Sequence, residues 1–218
     1  MELARPGLTL ACHAVDLSNA EQTDAFLREL VTTGERVDFL VNNAGLGDHG
    51  LFEKSDWERV RMMLEVNIRA LTRLTHALLP GLVRSGRGAV LNVSSIAGYV
   101  PVPEMAVYAA TKAYVTSFTE ALRAEVRGTG VTVTAVCPGP VNTEFGEVAQ
   151  RAGEPDTMRA PAILKVSAAR VVHAALNAVE RQRARVVPGP LLGVLMFVAS
   201  LVPIFILRHF LSVKREAE

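Results

Sequence analysis

The chain is short of the residues that build several kinds of protein. Two cysteines in 218 residues, Cys12 and Cys137, cannot make a disulfide framework. Both sit in apolar, strand-like runs, so each is expected to be a small buried hydrophobe in a reducing compartment. Charge of one sign is also missing: 23 basic residues face 22 acidic ones, which leaves no electrostatic footprint for nucleic acid. The five histidines (His13, His49, His76, His173 and His209) are scattered without ligand spacing, which argues against a metal site. The opening stretch MELARPGLTL lacks an extended apolar region, so no secretory leader is expected and a cytoplasmic location follows.

What is present is a globular α/β composition, half of it hydrophobic and long enough for one large core. Runs rich in β-branched residues alternate with amphipathic helical patterns, the signature of βαβ units and a parallel sheet. Strands are expected at Leu8–Val15, Val37–Val41, Ala89–Val93, Val131–Cys137 and Arg185–Val187. Between them, Ser18-Asn19-Ala20-Glu21 reads as a capping box opening a helix whose apolar face is Ala20, Leu27, Leu30 and Val31. Ser55-Asp56-Trp57-Glu58 reads as a second box, opening a helix to about Val66. A further helix runs from about Asn67 to Arg84, bent or ended early by Pro80. Tyr108–Arg127 is a strong helix with Val115, Phe118, Leu122 and Val126 as its core stripe, and Ser167–Arg181 is the last regular helix.

Tyr108 and Lys112 are four residues apart at the start of a helix, so both project from one face. A tyrosine titrates near ~10 by itself. An ammonium beside it favours the phenolate and moves it toward the pH range where proton transfer is efficient. Such a pair also arises by chance on solvated helix faces. The surroundings change its weight: Asn42-Asn43-Ala44-Gly45, Asn92-Val93-Ser94-Ser95 and Pro138-Gly139-Pro140-Val141-Asn142-Thr143 each leave the carboxyl end of a strand, where open α/β sheets build ligand sites. Ser94 could be confused with Ser95; the spacing to Tyr108 favours Ser95, with Ser94 as a buried hydroxyl.

In these marks, together with Asp16 and Asn67, the chain resembles the short-chain dehydrogenase/reductase family over roughly residues 8–190. The resemblance implies a Rossmann-type, doubly wound parallel sheet and a nicotinamide cofactor, NAD or NADP. It implies that Tyr108 is the general acid or base, that Lys112 holds the nicotinamide ribose and depresses the Tyr108 pKa, and that Ser95 positions the substrate oxygen. Asn67 would fix a water in a proton relay from Lys112. Asp16 and Leu17 would contact the adenine, Asn43, Ala44 and Gly45 the adenosine side, and Pro138, Gly139, Val141 and Thr143 the nicotinamide. The substrate would be a secondary alcohol or carbonyl compound, and the chain a homodimer or homotetramer paired through Asn67–Arg84 and Tyr108–Arg127.

The family's first strands, with the phosphate-cradling turn Thr-Gly-x-x-x-Gly-x-Gly, have no counterpart here. Leu8–Val15 corresponds to the family's third strand. The pyrophosphate therefore loses a helix amino terminus, and the chain by itself is expected to bind cofactor poorly. Val37–Val41 becomes an exposed apolar edge prone to association, and Leu8–Val15 has no evident neighbour. A late-start reading frame, a fragment or a degenerate paralogue would each explain the pattern; the intact catalytic set favours a truncated chain. The residue that would separate NAD from NADP lies in the missing part.

Residues 1–190 are read as the Rossmann-type domain and 191–218 as an apolar tail. No charge occurs from Val186 to Leu207, and Arg181, Arg183, Arg185, Arg208, Lys214 and Arg215 flank the run. Such a run is about long enough to cross a bilayer of ~30 Å, yet Pro188, Pro190 and Pro203 interrupt it. Membrane contact through residues 189–211, with a lipidic substrate, stands beside packing on a partner or the substrate pocket. A non-catalytic membrane or interaction protein that keeps the scaffold is the rival to the oxidoreductase.

Overall fold

The computed structural model describes residues 9–151 and 165–211, apart from the side chains of residues 209 and 210. Leu8, Met158, Pro161, Lys214 and Arg215 lie outside the described residues. Helix α1 (Ala20–Thr32) leads to strand β1 (Phe39–Asn42); α2 (Trp57–Leu64) and α3 (Leu71–Ser85) lead to β2 (Gly88–Val93). Helix α4 (Ala106–Glu125) leads to β3 (Val131–Val136), and α5 (Phe145–Ala149) and α6 (Ala168–Glu180) to β4 (Arg185–Val186). Helices α7 (Pro190–Leu201) and α8 (Ile204–Phe210) close the described chain.

The four strands form one parallel sheet in the order β1-β2-β3-β4, with Phe39 opposite Ala89 and Gly88 opposite Val131. Helices cover both faces, as parallel strands require. On one face Leu82 of α3 and Leu122 and Val126 pack with Val90 and Val133. On the other, Ala175 of α6 packs with Leu91 and Val136. This is the Rossmann-type layering expected. The predicted stripe of α4 faces the core, with Val115 fully buried.

Several local expectations need correction. Thr9–Asp16 is not a strand: it is largely exposed, and no described strand lies beside β1 for it to pair with. Cys12 is consequently exposed rather than buried, while Cys137 is buried. Val31 on α1 is 70% exposed, because that helix has no sheet beneath its second half. The cap of α1 is Asn19, whose side chain accepts from the amides of Glu21 and Gln22; the Ser18 hydroxyl instead donates to Asp16 at 2.7 Å. Likewise Asp56, not Ser55, caps α2.

Pro80 lies inside α3 without ending it. Helices α2 and α3 are continuous through a wider π-helical turn, Glu65–Ala70, which carries Asn67. A π turn re-aims a side chain at the cost of regular pairing, and such turns cluster at functional sites. Strand β1 is an edge: Phe39 and Val41 are 40% and 48% exposed, on the side of the sheet where α6 packs against Leu91 and Val136 of the neighbouring strands.

Candidate functional site

Because the strands are parallel, Asn42, Val93 and Val136 end at the same edge, and the segments after them converge there. A buried polar chain fixes their spacing. Asn42 donates to Asn92 at 2.8 Å and to Thr75 at 3.0 Å, and Asn92 donates to Thr119 of α4 at 2.9 Å. The Asn92 amide is thereby paired at both its oxygen and its nitrogen, as burial demands, while the Asn42 side-chain oxygen, also buried, has no described hydrogen-bond partner.

The Asn43-Ala44-Gly45 turn is held from the π turn. Asn67 accepts from the Leu46 amide at 2.8 Å, donates to the Leu46 carbonyl at 2.9 Å, and donates to Thr111 at 3.0 Å. Asn67→Ala leaves these groups unpaired where Asn67 is 1% exposed, so it is expected to lower stability by about 2–4 kcal/mol, read from urea unfolding. A Cβ on Gly45 would lie 3.3 Å from the Lys112 ammonium and 3.5 Å from the Asn67 carbonyl oxygen. The glycine thus keeps an open backbone next to both groups.

After β2, the two serines part. Ser94 turns inward: its hydroxyl bonds the Lys112 carbonyl at 2.8 Å and Thr116 at 2.7 Å, at 3% exposure. Ser95 is extended, accepts from the Ala97 amide at 3.1 Å, and its hydroxyl interacts with the Tyr108 phenol. The turn Ile96–Gly98 sits against α4 backbone to backbone. A Cβ on Gly98 would meet the Lys112 carbonyl carbon and oxygen at 2.7 Å, so only glycine permits the approach that sets Ser95 beside Tyr108.

Tyr108 and Lys112 are 7% and 4% exposed. The ammonium donates to the Val93 carbonyl at 2.9 Å and lies 5.7 Å from the Tyr108 ring centre. Burial lowers its pKa to about 8, because the charged form loses hydration. Burial raises the Tyr108 pKa for the same reason, against the smaller lowering effect of the Ser95 hydroxyl. Lys112 does not contribute to the Tyr108 shift in this state.

After β3, the Ile96 amide donates to the Pro138 carbonyl at 3.0 Å, which ties the second and third strand-end segments together. A Cβ on Gly139 would strike Leu192 of α7 at 2.3 Å, so the apolar tail begins on the floor of this region. Val141 bridges Val166, and Thr143 is exposed, with its amide on the Val141 carbonyl. Asp16 and Leu17 stand apart at the start of α1, where the Asp16 carboxylate is occupied by the amide and hydroxyl of Ser18. Thr111 and Gly98 were not legible as site residues: they act through hydrogen bonds to Asn67 and the Tyr108 carbonyl and through backbone approach, which leave no sequence signature.

The family model described as short chain dehydrogenase matches residues 2–153, and the chain belongs to that family. It is 40% identical over 136 residues to sulfoacetaldehyde reductase 2 of Chromohalobacter salexigens, covering 60% of this chain and 53% of that one. It is 37% identical over 130 residues to a very-long-chain 3-oxoacyl-CoA reductase of Laccaria bicolor, covering 58% of this chain and 38% of the other. The chain spans about half the length of the curated relatives it matches. Among solved structures, a short-chain dehydrogenase from Sphingobium yanoikuyae in complex with NADPH superposes with a TM-score of 0.72 at 29% identity, over 87% of this chain and 74% of that one.

Proposed function

We propose that the protein is an NAD(P)-dependent oxidoreductase that interconverts a carbonyl compound and a secondary alcohol, with Tyr108 as its general acid and base. One observation carries the reading: a buried tyrosine and lysine share one helix face, and the Ser95 hydroxyl bears on the phenol. The Lys112 ammonium has three donors, and the Val93 carbonyl is its one described hydrogen-bond acceptor. Together with the open Gly45 backbone, the remaining donors suit the vicinal hydroxyls of a ribose.

The cofactor would supply or take up the hydride. Lys112 would hold its nicotinamide ribose with the Tyr108 phenol alongside, Pro138, Gly139, Val141 and Thr143 would hold its amide, and Asn43–Gly45 with Asp16 and Leu17 its adenosine side. Ser95 would orient the carbonyl oxygen by donating a hydrogen bond, and Tyr108 would deliver its proton to that oxygen. Asn67, bound to Thr111 and the Leu46 backbone, keeps the turn beside Lys112 in place. Stabilising oxygen charge with a fixed donor typically contributes several kcal/mol of barrier lowering.

The test is oxidation of reduced nicotinamide, followed by absorbance, against a panel of aldehydes and ketones. Turnover that requires both the carbonyl compound and the protein is expected, with a high KM for the cofactor in keeping with the missing phosphate-cradling turn. Absence of turnover in both directions, at saturating NADH and NADPH, removes the reading.

A lipidic substrate presented at a lipid surface is part of this proposal. Leu191, Val194, Phe197, Val198, Leu201 and Phe205 are 52–69% exposed on α7 and α8, and Leu192 ties the same helix to Gly139. Helix α7 has 12 residues, or ~18 Å, and no described helix is long and apolar enough to cross a membrane. An in-plane seat, with Arg208, Arg181 and Arg183 toward anionic headgroups, fits that length; Arg185 is held by Glu120 at 2.8 Å. Phe197→Glu with Phe205→Glu is expected to abolish co-sedimentation with phosphatidylcholine–phosphatidylserine vesicles; retention of both variant and parent on vesicles, or of neither, contradicts the seat.

A further inference from the structure

Behind the proposed site lies a buried ion-pair cluster that the proton chemistry does not use. Asp48 is 7% exposed, and Arg151 grips it with both ends of the guanidinium, at 2.6 and 3.1 Å. Arg59 adds a second contact to the same carboxylate at 3.3 Å. The two arginines also reach backbone: Arg151 donates to the Leu51 carbonyl at 3.0 Å, and Arg59 to the Val148 carbonyl at 3.0 Å. The His49 amide donates to the Ala149 carbonyl at 3.0 Å, and the Gly50 amide to the Glu104 carbonyl at 2.8 Å. The segment following the Asn43–Gly45 turn is therefore clamped to α5 on one side and to the approach to α4 on the other.

Between the clamp and Tyr108 stands Phe145, the first residue of α5. Its ring lies 5.5 Å from the Tyr108 ring at a tilt of 47°. The tip of the ring fills the space where Gly47 has no side chain: a Cβ there would be 2.7 Å from the Phe145 ring and 3.1 Å from Ala149. Helix α5 has only five residues. Such a short helix is marginal alone, so its position depends on tertiary contacts such as the Asp48 pair.

We propose that Phe145 is the steric cap over Tyr108, that it sets the size of one substituent on the carbonyl substrate, and that Asp48, through Arg151 and Arg59, is the positioning residue that holds it. The inference rests on the carbonyl chemistry proposed for Tyr108. The ring, lodged against the open side of Gly47, cannot retreat toward the clamp without displacing that backbone. The substituent on that side must be small, a hydrogen or a methyl group, while the opposite side carries the larger part of the substrate.

Two readouts on Phe145→Ala and Asp48→Asn decide it. The first is acetylation of tyrosines by N-acetylimidazole, resolved by peptide mass spectrometry, with half-buried Tyr99 as the control of general folding. Tyr108 is expected to label several-fold faster in both variants while Tyr99 is unchanged. The second is selectivity: kcat/KM for an aryl ketone with two bulky substituents, relative to that for its methyl ketone, is expected to rise at least about tenfold. If Tyr99 accelerates with Tyr108, Phe145→Leu, which keeps most of the bulk, replaces the alanine variant, with the same direction and a smaller effect. Unchanged Tyr108 labelling, or faster labelling with unchanged selectivity, overturns the cap; an effect of Phe145→Ala that Asp48→Asn does not share overturns the clamp. Parent protein inactive on every ketone overturns the carbonyl chemistry instead, and labelling still decides whether Phe145 covers Tyr108.

Discussion

Tyr108→Phe is expected to lower turnover by about 10²–10⁴-fold, the range that one positioned general acid contributes. Affinity for reduced cofactor, read by nicotinamide fluorescence, should be almost unchanged. The substitution removes one oxygen from a side chain that is 7% exposed, and its described polar interaction there is with the Ser95 hydroxyl. Loss of that interaction costs at most about 1 kcal/mol, and no charged group is left without its partner. A fall in kcat at constant cofactor affinity is the pattern of an interaction made only in the transition state. A weakened cofactor complex with normal kcat would assign Tyr108 to binding and leave proton transfer to another group.

Lys112→Met is expected to give the second large effect, and in two directions at once. Turnover should fall by about 10²-fold or more, because the group that would orient ribose and proton donor is gone. The ligand-free chain should become more stable. Burial holds Lys112 at about 8, below its ordinary 10.5. Between those values the unfolded chain binds more protons than the folded one, so stability rises as pH rises through that window, and the penalty is complete below about pH 8. The shift corresponds to roughly 3 kcal/mol. The lost bond to Val93 returns about 1 kcal/mol of it. A net gain near ~2 kcal/mol raises Tm by roughly 4–8 °C at this chain length. The gain should fade as the assay pH rises from about 8 toward ~10.5, and Lys112 is neutral in both states only above that range. Equal gains at pH 7 and pH 10 would show that packing, not charge, is responsible.

This opposition between stability and activity also explains which parts of the molecule were legible in its sequence. Val90, Val133 and Leu122 carry the β-branched and helical periodicities that hydrophobic burial imposes, and their elements fall within a few residues of expectation. Tyr108, Lys112 and Ser95 could be selected because polar residues at a strand end or on a helix face break that periodicity, whereas Asn67 stood out only through the family resemblance. Leu8–Val15 carries the composition of a strand, yet composition cannot supply the neighbour that a strand needs, and Thr9–Asp16 stays unpaired among the described residues. Asn19 displaced Ser18 as cap because its amide oxygen reaches two free amides together. Spacing alone does not distinguish those geometries.

The long-range contacts were the least visible. Nothing in Gly47 announces that Phe145 will occupy its open side, and nothing in Asp48 announces a partner at Arg151, 103 residues away. The helical apolar tail was read from its length as a candidate span. The break at Val202-Pro203 divides it into helices of 12 and seven residues, too short for that. Its attachment through Leu192 to Gly139 joins it to the site by a contact between an ordinary leucine and an ordinary glycine.

The most direct measurement is isotope transfer. Reduced nicotinamide deuterated at its reactive carbon is incubated with a ketone and the protein, and the alcohol is analysed by mass spectrometry. The account predicts one deuterium on the former carbonyl carbon with the parent protein and none above background with Tyr108→Phe at saturating cofactor. Equal deuterium incorporation by the two proteins would contradict it.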